Sequence, residues 1–222
     1  MIFTVQPIPP AEAKPWILKR HYAHRMPCVQ YAYGLFDGLE CVGVCTFGSS
    51  ANRRTAGMIS GFNTMELNRL IAQIKEPNGL SYFVSRCLKL LPRPLSVVSY
   101  ADPNSGHVGY IYQATNWIYT GQGTRKNGRT DTGVTLFERD GIEYHAKSVS
   151  EMIGSASGKN AKEHGFTRLF TPPKHRYFKF IGSKKEKKAM LDALPYPVLP
   201  YPKGETKRYD AEHAIDIQKT LF

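Results

Sequence analysis

Residues 78–102 read "NGLSYFVSRCLKLLPRPLSVVSYAD", and this stretch decides the fold class. Its first half sets Leu80, Phe83, Val84, Cys87, Leu88 and Leu91 at i, i+3, i+4, i+7, i+8 and i+11, the period of a helix with one apolar face. "LSVVSYAD" follows, a short, mostly apolar run closed by an aspartate, which reads as a central strand. A helix leading directly into a buried strand calls for a sheet with helices packed on it.

The rest of the chain extends that pattern. "PPAEAKPWILKRHYAHR" predicts a first helix with Trp16, Ile17 and Tyr22 on its apolar side. "VQYAYGLFDGLECVGVCTFG" predicts a β-hairpin turning at Asp37-Gly38, and "TMELNRLIA" another strand, after a loop rich in glycine, serine and arginine. "VGYIYQATNWIY" reads as a helix with Ile111, Ala114, Thr115 and Ile118 inward. "TGVTLFERDGIEYHA" predicts a second hairpin and "KHRYFKFIG" a late strand, while "LPYPVLPYPKGETKRY" runs extended along the surface. The expected fold is therefore α/β (α+β), a mixed sheet flanked by helices with extra C-terminal β elements. It spans residues 1–222 as one domain, with a proline-rich, basic extension from about residue 183. A hairpin followed by two strand–helix units is similar to the core of the GNAT acyltransferase fold.

Composition narrows the partners. A 41% hydrophobic and 12% aromatic content indicates a globular chain, and no run approaches the roughly 18 apolar residues that span a bilayer, so no membrane role is expected. "MIFTVQPIPPAEAKPW" lacks a basic segment followed by an apolar core, so no signal peptide is expected. Cys28, Cys41, Cys45 and Cys87 form no CxxC pair and read as core thiols of a reducing cytoplasm rather than zinc ligands. Thirty Lys and Arg against 18 Asp and Glu give a net charge of +12. Between Lys159 and Lys188, ten basic residues face only Glu163 and Glu186, with smaller sets at Arg53-Arg54 and Arg125-Lys126…Arg129. Such a field attracts a polyanion, with nucleic acid the first candidate.

The chemistry concentrates in "SYADPNSGHVGYIYQATNWIYTG", residues 99–121. Asp102 ends a strand ahead of a turn and a helix, and ligands of open sheets bind outside the carboxyl ends of strands. On the expected helix Tyr112 and Asn116 are i, i+4 neighbours, so a phenol and a carboxamide share one face. The same residues also suit a plain turn in which the aspartate caps the next helix. In "KRHYAHR", His21 either caps the first helix or faces Asp102 as acid–base partner or metal ligand, with Tyr22 beside it. Walker, G-x-S-x-G and H-E-x-x-H motifs are missing.

Taken in order, "HY…YAYGLFDG…CVGVCTFG", "MELNRL", "NGLSYFVSRCLKLL", "VSYADPNSGHVGYIYQATNWIYTG", "KHRYFKF" and "YPK" resemble the phage Mom family, over roughly residues 10–204. The resemblance implies a GNAT-like fold and an enzyme of the bacterial host cytoplasm. That enzyme converts adenine in double-stranded DNA to N6-carbamoylmethyladenine, which protects the DNA from host restriction. It puts His21 and Tyr22 on the family's His-Tyr pair and Asp102 and Tyr112 on its Asp and later Tyr, as catalytic residues. The same four are the candidate ligands if iron is used. Asn116, His107, Gln113, Ser81 and Arg69 complete the expected substrate- and donor-binding set. The full GNAT pyrophosphate loop is replaced by "IAQIKEPNGLS", which leaves two donors open, a glycyl aminoacyl-tRNA or an acyl-CoA. Transfer of tRNA-borne glycine makes tRNA a second partner. The alternative is a GNAT N-acyltransferase acting on a small-molecule or protein amine.

Overall fold

A computed structural model describes residues 3–21, 24–50, 58–103, 106–123, 136–169 and 172–203. Tyr22, the Arg53-Arg54 and Arg125…Arg129 sets, the first part of the second hairpin and the tail beyond residue 203 lie outside the described residues. The chain divides into two compact units. One comprises Met1–Ser99, Tyr110–Tyr119 and Tyr177–Phe222, the other Tyr100–Gly109 and Thr120–Arg176.

The elements follow in the order expected, with additions. They are β1 (Phe3–Pro7), α1 (Pro10–Arg20), β2 (Tyr31–Asp37), β3 (Glu40–Gly48), β4 (Thr64–Ala72), α2 (Gly79–Leu90), β5 (Leu95–Ala101), α3 (Tyr110–Ala114) and β6 (Ile118–Gln122). Then come β7 (Leu136–Arg139), β8 (Ile142–His145), α4 (Ala146–Ile153), α5 (Gly158–Glu163), β9 (Thr167–Leu169), β10 (His175–Ile181) and α6 (Lys184–Asp192). A seven-stranded sheet runs β1-β2-β3-β4-β5-β10-β6. Neighbours from β1 to β4 are antiparallel, whereas β4 and β5 are parallel, so the sheet is mixed as expected.

In the first unit α1 buries Ala13 and Ile17 against Ile8, Ala32, Val44 and Ile71. The apolar stripe of α2 buries Phe83, Val84, Cys87 and Leu88, the residues its period singled out. Parallel pairing of β4 with β5 lasts for Thr64–Ser96, Met65–Val97 and Glu66–Val98. One residue further on, the Leu67 carbonyl accepts from the Ser99 hydroxyl at 2.8 Å, so a side chain takes over where backbone pairing stops.

The second unit has its own three-stranded sheet, β8-β7-β9, with the β7–β8 hairpin at Asp140-Gly141 as expected. Phe137, Val149, Ala161 and Phe166 form its core, with the Arg139 guanidinium 4.3 Å from the Phe166 ring centre.

The segment after Gly109 corrects the expected long helix. The helical part, α3, stops at Ala114 because Asn116 adopts φ 56°, a left-handed conformation that asparagine tolerates better than most residues. Asn116 N–H then donates to the Gln113 carbonyl and Trp117 N–H to the Tyr112 carbonyl. These two bonds are the Schellman pattern that closes a helix. Tyr112 and Trp117 turn inward, Ala114 and Asn116 face solvent, and the chain leaves as β6. Tyr112 and Asn116 therefore do not share one helix face.

Candidate functional site

Asp102 directly follows β5 and is 6% exposed. Burying a carboxylate without a partner is costly, and here the partner is Lys174, whose Nζ lies 2.8 Å from Asp102 Oδ2. Lys174 sits just ahead of β10, and its carbonyl accepts from Gly123 N–H. Two residues on, the buried Arg176 donates through Nε to Thr120 Oγ1 at 2.9 Å, and Thr120 Oγ1 donates back to the Arg176 carbonyl. The backbone carrying Lys174 is thus tied to that of residues 120–123.

The turn after Asp102 brings a third group. Gly106, at φ 69°, donates its N–H to the Pro103 carbonyl, and His107 N–H donates to the Asp102 carbonyl at 3.1 Å. The His107 imidazole keeps an open side toward solvent while its inner side is crowded. That crowding holds its pKa below the usual histidine range; Asp102 pulls it up and Lys174 pushes it down. A carboxylate, an ammonium and an imidazole neutral at pH 7 therefore meet at the end of β5. Lys174 was legible in the sequence only as one more basic residue, because its partner lies 72 positions away.

Tyr112 belongs to the first unit and is 8% exposed. Its hydroxyl oxygen is 2.7 Å from Ser99 Oγ, which has one hydrogen and gives it to the Leu67 carbonyl. The Tyr112 hydroxyl is therefore the donor to Ser99, and its ring packs on Trp117 and Tyr177.

Of the other expected site residues, His21, Arg69, Gln113 and Ser81 have partners within the fold, and Tyr22 lies outside the described residues. His21 is the residue that ends α1, and its carbonyl accepts from His24 N–H. The ring that caps the helix is that of His24, whose Nδ1 donates to the Leu18 carbonyl at 2.9 Å. Arg69 donates to the Arg25 carbonyl at 2.8 Å and Asn68 to the Cys28 carbonyl, so β4 holds the segment that follows α1. Gln113 donates to Tyr177 Oη and to the Pro202 carbonyl, each at 3.3 Å, fastening the C-terminal strap. Ser81 donates to the Asn78 carbonyl. The Gly79 amide at the start of α2 is taken by the Glu76 carbonyl, and a Cβ at Gly79 would meet Ile74 Cδ1 at 2.8 Å. Asn116 stays exposed at the turn between α3 and β6.

Of the four residues offered for iron, Tyr22 lies outside the described residues. Asp102 holds an ammonium and Tyr112 holds its proton on Ser99. Among the described residues no group of three or more His, Cys, Asp and Glu side chains converges.

Residues 2–203 match the model of the Mom protein family. The chain belongs to the Mom family. The methylcarbamoylase Mom of Escherichia phage Mu is 28% identical over 205 residues, which cover 86% of this Mom-family chain and 80% of the phage Mu protein. Among solved structures, an acetyltransferase from Thermus thermophilus covers 82% of this chain and 98% of its own, at 14% identity and a TM-score of 0.40, too slight a likeness to carry an argument. Among the described residues no helix is long and apolar enough to cross a membrane.

Proposed function

We propose that this Mom-family chain is a transferase that converts adenine in double-stranded DNA to N6-carbamoylmethyladenine, and that the modified base protects phage DNA from host restriction. Family membership and the likeness to the phage Mu methylcarbamoylase support the reading. The observation that carries it is the pair of buried Asp102 with half-buried Lys174, beside His107 at the end of a sheet strand.

The exocyclic amine of adenine is a weak nucleophile, because its lone pair is delocalised into the ring, and in duplex DNA it is paired and stacked. The base is extruded first. Asp102 accepts a hydrogen bond from the amine and takes its proton as nitrogen attacks the carbonyl carbon of a glycyl ester. The N–C bond forms, the ester C–O bond breaks, and the departing hydroxyl carries the proton away. The glycyl amine then attacks C6 and the original C6–N bond breaks. The displaced nitrogen becomes the terminal amide of a carbamoylmethyl group. Lys174 fixes the orientation of the carboxylate and balances its charge, and neutral His107 is placed to pass a proton. A glycyl-charged tRNA supplies that ester. The segment "IAQIKEPNGLS" leading into α2, which lacks the full glycine-rich pyrophosphate loop, favours it over acyl-CoA.

The test supplies purified chain and plasmid DNA with glycyl-tRNA or with acyl-CoA, followed by mass spectrometry of the nucleosides. An adduct formed with glycyl-tRNA supports the reading. An adduct formed only with acyl-CoA overturns the donor, and no adduct with either overturns the function.

A further inference from the structure

Between α6, β10 and the turn at Asn116, the first unit carries an open groove of about 330 Å³. Its floor is apolar, with Ile118, Phe180 and Leu191, and its polar wall is cationic, with Lys179, Lys187 and Lys188. Lys179 spans the groove's inner edge and donates to the Thr115 and Asn116 carbonyls at 2.8 and 3.0 Å. Those carbonyls quench no charge. Burial, and after it the nearby Lys187 charge, hold the Lys179 pKa below the usual lysine range.

The carboxylate best placed to answer these lysines is spent elsewhere. Glu186 turns back to accept the Ser183 N–H at 2.7 Å while Ser183 Oγ accepts the Glu186 N–H, a capping box that starts α6. Among the described residues no ion pair involves Lys179, Lys184, Lys185, Lys187 or Lys188. Among the described residues these like charges therefore stand around an apolar floor with no carboxylate, Asp192 at the end of α6 included, paired to them. Such a surface fits a ligand that alternates anionic and apolar units. A sugar–phosphate backbone does so, its phosphates on Lys187 and Lys188 and a deoxyribose on Leu191 and Phe180.

The geometry points to this α6 groove as the anchor for the backbone of duplex DNA. The inference rests on the proposed DNA-modifying function and adds where the duplex is held.

The test measures binding of the full chain to labelled duplex DNA by fluorescence anisotropy across a salt series. Each phosphate contact on B-DNA contributes about −0.9 to the slope of log K against log salt, so K187Q/K188Q should make the slope shallower by about two. K14Q/K75Q removes the same charge from exposed positions of the first unit and should leave the slope nearly unchanged. An unchanged slope in K187Q/K188Q, an equal loss in K14Q/K75Q, or a loss seen with RNA but not with duplex DNA overturns the assignment. Thermal melting of each variant separates misfolding from lost contact, and a misfolded K187Q/K188Q is replaced by the single variants, each expected to remove about one unit of slope. Wild type that binds duplex DNA with the expected slope but forms no adduct would overturn the function and leave the groove standing.

Discussion

At the scale of single residues, the Asp102–Lys174 pair separates a stability role from a chemical one. The Asp102 side chain is 8% exposed and that of Lys174 25%, so removing the cation alone strands a mostly buried charge. Lys174→Met should cost about 3 kcal/mol by urea unfolding, and the double variant D102N/K174M should recover most of it. Neither should modify DNA. The relay from Tyr112 through Ser99 to the Leu67 carbonyl makes a different prediction. Ser99→Ala leaves two buried groups without their partner and should cost about 2 kcal/mol, whereas Tyr112→Phe leaves one and should cost about 1 kcal/mol. If Tyr112 acts only by holding this relay, Tyr112→Phe keeps measurable adduct formation and Ser99→Ala lowers it at least as much.

At the scale of elements, two backbone positions decide local structure. A Cβ at Gly48, the last residue of β3, would collide with the Cys28 carbonyl oxygen. That approach is what lets Gln30 N–H reach the Phe47 carbonyl at 2.8 Å. Gly48→Ala should therefore displace the segment around residue 28 and lower the melting temperature clearly, while Gly61→Ala tests the converse, a left-handed glycine with open space around it. Asn116→Ala keeps the left-handed backbone but loses the short polar side chain that lets asparagine tolerate it, and should cost about 1 kcal/mol, with Asn116→Gly close to neutral.

These elements also show what the sequence made legible. The helix of residues 79–90, the strands on either side of it and both Asp-Gly hairpins follow from local periodicity and turn chemistry, and they stand where expected. The end of α3 was missed because "ATNW" closes the helix through asparagine rather than glycine; the β-rich "WIYTG" after it was the available signal. β1 escaped because its five residues run into prolines, α5 carries little apolar period, and α4, apolar at Val149, Met152 and Ile153, spans too few residues for its period to stand out. Asp102 and His107 were legible as a strand-end aspartate and a histidine beyond its turn. Lys174 was not, since an ion pair between distant residues leaves no local pattern.

At the scale of the whole molecule, charge and protonation set the working range. His175, 8% exposed at the start of β10, is held below its ordinary value near 6.5 by burial. Its charged form is disfavoured in the folded state, so the unfolded chain binds the proton first as pH falls. The stability owed to neutral His175 is fully present above about pH 6.5 and declines below it, towards the lowered folded pKa. Urea midpoints should therefore drop from pH 7 to pH 5, and His175→Asn should flatten that drop. The strongly basic balance, +12 in all, further predicts that DNA binding weakens steeply with salt.

The most direct test of Asp102 as the proton acceptor is mass spectrometry of nucleosides from plasmid DNA grown with the wild-type chain and with Asp102→Asn. Wild type should yield an adenine nucleoside carrying one carbamoylmethyl group. The variant, folded by its melting curve, should lower it by about 100-fold or more. Equal adduct in both would contradict the role of Asp102.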